Sequence, residues 1–162
     1  MHFAIQGDHI HLLVEADDRD ALRRGLQGLC IRLAKGLNRR LERRGKVFAD
    51  RYHARALRTP TETRRALAYV LANHRHHAAH RTHYAPSEVD PYSSALDFDG
   101  WCRSVRPLGN WRYTEPVTVS PVTWLLRAGW KRAGGLLDPA FVPGAGRSAI
   151  VTAEGQEVAP NR

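Results

Sequence analysis

The stretch "GDHIHLLVEA", Gly7–Ala16, decides how this chain is read. Two histidines flank one isoleucine, and an apolar run follows. Alternate residues of a strand share a face, so His9 and His11 point the same way, at the edge of what the run marks as a buried core. "HFAI" just before it is a second strand-like piece, and Gln6-Gly7-Asp8 supplies turn chemistry between the two. Two imidazoles on one strand face have two readings. They are edge residues with satisfied hydrogen bonds, or they converge through ring nitrogens on one metal ion, at roughly 2.0–2.3 Å from it. The pair alone does not choose between them.

Working outward, the next pattern is helical. Leu22, Leu26, Leu29, Leu33, Leu37 and Leu41 recur at three- and four-residue steps, which predicts a helix from about Asp18 to Arg44 with one apolar stripe. Arg23, Arg24, Lys35, Arg39, Arg40 and Arg43 take its other faces, and Gly45 stops it. "KVFADRYHARALRT" reads as a strand over about Val47–Leu57, with Arg51, His53 and Arg55 on one face and Tyr52 as a packing residue. "TPTE" then opens a second helix running to about His80. Thr59 caps it, Pro60 suits the first helical position, and Glu62 completes a capping box. Pro86 and Pro91 mark a break. Beyond them, "PVTWLLRAGW" predicts a short helix from about Val122, and the four tryptophans are read as packing residues.

The composition is that of a basic protein. Lys and Arg number 25 against 16 Asp and Glu, a net charge of +9, and the isoelectric point is near 10.4. Only Lys35, Lys46 and Lys131 are lysines, so arginine carries nearly all the positive charge. Arginine suits bidentate contacts to phosphate, which points to nucleic acid. A GC-rich genome also inflates arginine without any function. No apolar run approaches the ~18 residues of a membrane span, and Met1 leads directly into strand-like sequence, so no signal peptide and no membrane partner are expected. Cys30 and Cys102 stand in no metal-type spacing, and a reduced, cytoplasmic protein is the simplest account.

The second helix sharpens the question. At about 100° per residue, Leu67, Val70, Leu71, His74 and Ala78 form its core stripe. Arg65, Tyr69, Asn73, His76 and His80 gather on the opposite, polar side. A tyrosine that only filled the core would lie on the apolar face. One turn on, the amide oxygen of Asn73 could ligate a hard cation. The histidines at 74, 76, 77, 80 and 83 wrap around the helix and read as a surface run. Glu15 shares the parity of His9 and His11 and reads as a solvated strand end.

Taken in order, "GDHIHLLVEA", the basic helix, "GKVFADRYHARAL" and "ALAYVLAN" resemble the single-tyrosine HUH transposases, in particular the REP-associated tyrosine transposases and their insertion-sequence relatives. The resemblance covers roughly residues 3–80. It implies an α+β, ferredoxin-like HUH domain over residues 1–84 and a helical or irregular C-terminal extension over 85–138; the Gly-, Pro- and Ala-rich composition after that predicts a disordered tail over 139–162. It implies that His9, His11 and Asn73 hold a divalent ion, Mg²⁺ or Mn²⁺, and that Tyr69 is the nucleophile. The activity implied is a transposase that cleaves and rejoins single-stranded DNA through a covalent 5′-phosphotyrosine intermediate. Its substrate would be DNA bearing a hairpin, its partner a second copy in a homodimer. Arg39, Arg40, Arg51, Arg55 and Arg65 are the expected DNA-binding residues.

One departure is plain. The family's first strand and first helix, roughly fifty to sixty residues ahead of the histidine motif in its ferredoxin-like fold, have no counterpart here. Either the start codon is placed too late or the gene is a decayed copy. The rival readings are an inactive relic that only binds DNA or RNA, and a histidine-rich metal-binding protein.

Overall fold

A computed structural model describes residues 1–78, 84–111 and 117–143, with side chains left out at 76–78. The fold is α+β. Strands β1 (His2–Ile5) and β2 (Ile10–Leu13) form an antiparallel hairpin in which Ala4 faces His11 and Ile5 faces Ile10. The Gln6 N–H donates to the His9 carbonyl at 2.8 Å and closes the turn. Helix α1 spans Arg19–Arg40 and helix α2 spans Pro60–Ala78. A short parallel pair follows, β3 (Glu88–Val89) with β4 (Arg106–Pro107), and then a single-turn helix α3 (Trp124–Arg127). Turns of 3₁₀ helix lie at Ser94–Asp97 and Gly129–Ala133.

Helix α2 is the hub. Its start is fixed by the capping box: Thr59 Oγ1 accepts from the Glu62 N–H, and Glu62 Oε2 accepts from the Thr59 N–H, each at 3.2 Å. The two bonds satisfy orphan donors of the first turn. Beyond the cap, Leu67 and Leu71 are fully buried. The hairpin lies along one side of α2, and the Gly129–Ala133 turn, α3 and β3 pack on it as well. The core cluster joins Leu13 and the α2 residues Ala66, Leu67, Ala68 and Leu71 to Val89, Phe98, Trp101, Trp130 and Leu137. Residues 1–84 and 85–138 therefore share one core. Arg75 ties them further. Its Nε donates to the Pro139 carbonyl at 2.7 Å, and its Nη2 donates to the carbonyls of Ala85 and Glu88 at 2.6 and 2.9 Å.

Three sequence expectations change. Residues 47–57 form no strand. A strand needs a partner ladder, and the hairpin has β1 on one edge of β2 while the opposite edge of β2 borders an open cleft of about 1840 Å³. The segment instead runs along the far wall of that cleft, with Tyr52 exposed. Helix α1 is shorter than its pattern, capped by Asp18, whose Oδ1 accepts from the Ala21 N–H at 2.7 Å, and ending at Leu41. Of its leucine stripe, only Leu26 is buried; Leu37 and Leu41 are 43% and 60% exposed. Glu15 is not a solvated end. Its carboxylate accepts from the Val122 and Thr123 N–H groups at 2.7 Å each and from the Thr123 hydroxyl. It thereby anchors the residue that caps α3.

The tryptophans divide. Trp101 and Trp130 are core, whereas Trp111 and Trp124 keep nearly half their surface in solvent. The tail expected over 139–162 begins inside the fold, because Pro139 is fully buried; residues 144–162 lie outside the described residues, as do His80 and His83.

Glycine substitutions report on this uneven packing. A Cβ at Gly100 would meet the rings of Phe98 and Trp130 at 2.4–2.6 Å, whereas Gly36 on α1 has nothing within 4 Å. Gly100→Ala is expected to lower stability by about 1–3 kcal/mol, and Gly36→Ala to raise it by about 0.5–1 kcal/mol. Urea unfolding of the two variants beside the wild type measures both.

Acid should also weaken the fold. His2 and His74 are buried, and burial, before any neighbouring charge, lowers each pKa from 6.5 to about 4. The folded protein then binds fewer protons than the unfolded chain between these values. The stability the two neutral rings contribute is complete above pH 6.5, is lost as the pH falls from 6.5 to 4, and changes no further below that. The loss is on the order of 2–3 kcal/mol for each ring. Urea midpoints at pH 7 and pH 4, compared between wild type and His74→Leu, isolate the His74 share: the variant should lose less stability on acidification.

Candidate active site

The hairpin turn and the strand parity set the site. His9 ends the turn and His11 stands on β2, so both rings project from the same face. Their Nε2 atoms are 3.0 Å apart, with ring centroids 4.6 Å apart and planes at 79°. The other nitrogen of His9, Nδ1, lies 2.7 Å from Asp8 Oδ1. His11 is buried, and its ring packs edge-on against Tyr69, with centroids 5.0 Å apart and planes at 78°. The histidine pair also lines the open cleft. Three of the residues expected from sequence, His9, His11 and Tyr69, thus meet across the β2–α2 contact.

Tyr69 is half-buried, and that burial raises its phenol pKa above the usual 10. Desolvation disfavours the phenolate. Nucleophilic use of this oxygen therefore requires a nearby base or positive charge.

Asn73 differs from its expected setting. The helical wheel gives it a polar face, but Asn73 is fully buried. The helix also bends between it and Tyr69, at Ala72, whose φ of −114° and ψ of 16° leave the helical region. The two residues are therefore not related by a simple helical turn. Among the described residues, neither amide atom of Asn73 has a hydrogen-bond partner. A buried amide left unpaired costs about 1–3 kcal/mol.

Of the five arginines, Arg55 and Arg65 line the same cleft as the histidine pair. Arg39 and Arg40 are exposed at the end of α1, Arg51 is exposed in the segment between the helices, and Arg65 is exposed near the start of α2. Arg55 is paired with Glu62, Nη2 to Oε1 at 2.9 Å, so part of its charge is already matched. His74 lies on the apolar side as expected, with both ring nitrogens unpartnered among the described residues.

The donor set fits a hard or borderline divalent ion. Two ligand atoms bonded to one ion at about 2.1 Å, and about 90° apart, stand about 3.0 Å from each other. That is the spacing of the two Nε2 atoms. The orphaned carbonyl oxygen of Asn73 is a ligand type such ions accept. Among the described residues no group of three or more His, Cys, Asp or Glu side chains converges, so a third protein ligand would have to be of another kind. Two residues escaped the sequence reading, one at the site and one that holds the fold behind it. Asp8 registered only as turn chemistry, although its place next to His9 was the available signal. Arg75, beside His74 on the inner face of α2, was a charge where the pattern asked for an apolar residue.

The burial of Asn73 predicts a conflict between stability and site. Asn73→Leu keeps the branching of the side chain and removes the unpaired polar atoms. It should stabilise the metal-free protein by about 1–2 kcal/mol, measured by urea unfolding; loss of stability would mean that the amide is paired in solution.

Comparison with known proteins adds no relative: no family model matches this sequence, and no curated protein or solved structure matches it.

Proposed function

We propose that this chain is a metal-dependent transposase of the single-tyrosine HUH kind, which cleaves single-stranded hairpin DNA and joins it again. The observation that carries the reading is the meeting of His9, His11 and Tyr69, with the two Nε2 atoms 3.0 Å apart and the phenol ring against His11. In this reading His9 and His11, with Asn73, hold Mg²⁺ or Mn²⁺. The hairpin belongs to a ferredoxin-like sheet, and the working form is a homodimer.

The residues have separate tasks. Tyr69 Oη attacks the scissile phosphorus; the P–O3′ bond breaks, leaving a 5′-phosphotyrosine and a 3′-hydroxyl. The phosphodiester energy stays in the tyrosine ester, so a second 3′-hydroxyl can reverse the step without ATP. A bound divalent ion would neutralise charge developing on the phosphate. His9 and His11 would hold that ion, and the His11 ring packs against the phenol. Arg51 and Arg65, with Arg39 and Arg40, would track the DNA backbone, and Arg55 would do so after exchanging Glu62 for phosphate.

One observation favours a second reading, DNA or RNA binding without turnover. Burial raises the Tyr69 pKa, which opposes phenolate formation, while the net charge of +9 would still attract nucleic acid.

Covalent capture separates the two. The protein is incubated with labelled single-stranded hairpin DNA from the sequence flanking its gene, with Mn²⁺, and resolved on a denaturing gel. A slow-migrating adduct is expected, abolished in Tyr69→Phe and reduced roughly 100-fold or more in His9→Ala. Salt-sensitive binding by all three proteins with no adduct from the wild type would favour the binder.

A further inference from the structure

We propose that Asp8 is a positioning residue that holds His9 in the tautomer able to ligate a metal ion through Nε2; this rests on the reading of His9 and His11 as metal ligands. Asp8 Oδ1 lies 2.7 Å from His9 Nδ1. An ionised carboxylate only accepts hydrogen bonds, so Nδ1 carries the proton. In the neutral ring, Nε2 then keeps its lone pair, and Nε2 is the atom directed at His11 Nε2, 3.0 Å away. Without the carboxylate, a neutral imidazole is free to carry its proton on Nε2. That tautomer aims an N–H at the position an ion would take. A carboxylate behind a ligating histidine also fixes the ring's orientation and raises its basicity as a ligand.

The local fold encloses one side of this arrangement and exposes the other. The Gln6 N–H to His9 carbonyl bond closes the turn and sets Asp8 beside His9. The His9 side chain is 10% exposed, but that of Asp8 is 73% exposed. A pair with one partner so open to water contributes little to folding, so its loss should leave the fold intact.

The test reads tautomer and metal uptake separately. In metal-free protein with ¹⁵N-labelled histidine, long-range ¹H–¹⁵N correlation reports which nitrogen of His9 is protonated, the signal being assigned with His9→Ala. Wild type is expected as the Nδ1–H form, and Asp8→Ala as a mixture shifted toward Nε2–H. Asp8→Asn, which keeps an acceptor oxygen without the charge, should retain the Nδ1–H form. Mn²⁺ affinity, read from the free-ion electron paramagnetic resonance signal, should fall about 10–100-fold in Asp8→Ala, with an unchanged urea midpoint and with DNA-adduct formation recovered at saturating Mn²⁺. Wild-type tautomer and affinity in Asp8→Ala would overturn the role of Asp8 while leaving the metal site standing. A wild type that takes up no more Mn²⁺ than His9→Ala would overturn the metal site, and the proposal for Asp8 with it.

Discussion

Two fully buried leucines on α2, Leu67 and Leu71, set the terms for the rest of the molecule. Burial of side chains of this size is worth about 1.5–3 kcal/mol each, and a helix gains it only when both of its sides are covered. Here one side is covered by the hairpin and the other by the tryptophan-bearing turn around Trp130. The contact with the hairpin creates the candidate site as a by-product. It brings β2 against α2, so His11 meets Tyr69, while Asn73 on the same helix is shut away from water. The same packing that stabilises the helix desolvates the tyrosine and strands the amide. A site that works against the stability of its own scaffold is a common property of functional centres.

How much of this could be read from the residues depended on how local the cause was. The hairpin was legible because turn residues and alternation lie within a dozen positions. The start of α2 was legible because Thr59 and Glu62 satisfy each other's backbone. The convergence of His9 with His11 followed from strand parity, and their approach to Tyr69 came only with the family resemblance. The strand expected at 47–57 was not there, since alternation says that a segment can pair and not that a partner exists. The wheel placed Asn73 on a polar face, because a helical wheel knows nothing of what later packs on it. The division of the tryptophans into core and surface was invisible for the same reason. Asp8 was overlooked because a turn aspartate has an ordinary explanation.

Uneven burial also separates the molecule into a firm part and a loose one. Around α2 the packing is close enough that a methyl group at Gly100 has no room. Helix α1, by contrast, has 22 residues, one of them buried, and carries Gly25, Gly28 and Gly36. Such a helix opens locally at little cost. The cleft between α1 and β2 can therefore widen or narrow without disturbing the histidine pair, which belongs to the firm part.

The order of the core along the chain bears on how the protein is made. Leu67 and Leu71 pack against Trp101, Trp130 and Leu137, and Arg75 closes on the Pro139 carbonyl. On the ribosome these partners emerge long after α2. Until they do, the helix has only the hairpin to cover it, and its second apolar side faces water. Pairings this distant in sequence form slowly, and a half-covered helix is prone to the wrong contacts while it waits. The nascent chain thus depends on the turns around Trp130 and Pro139 to hide its central helix, and truncation ahead of Pro139 would leave a polypeptide suited to a chaperone.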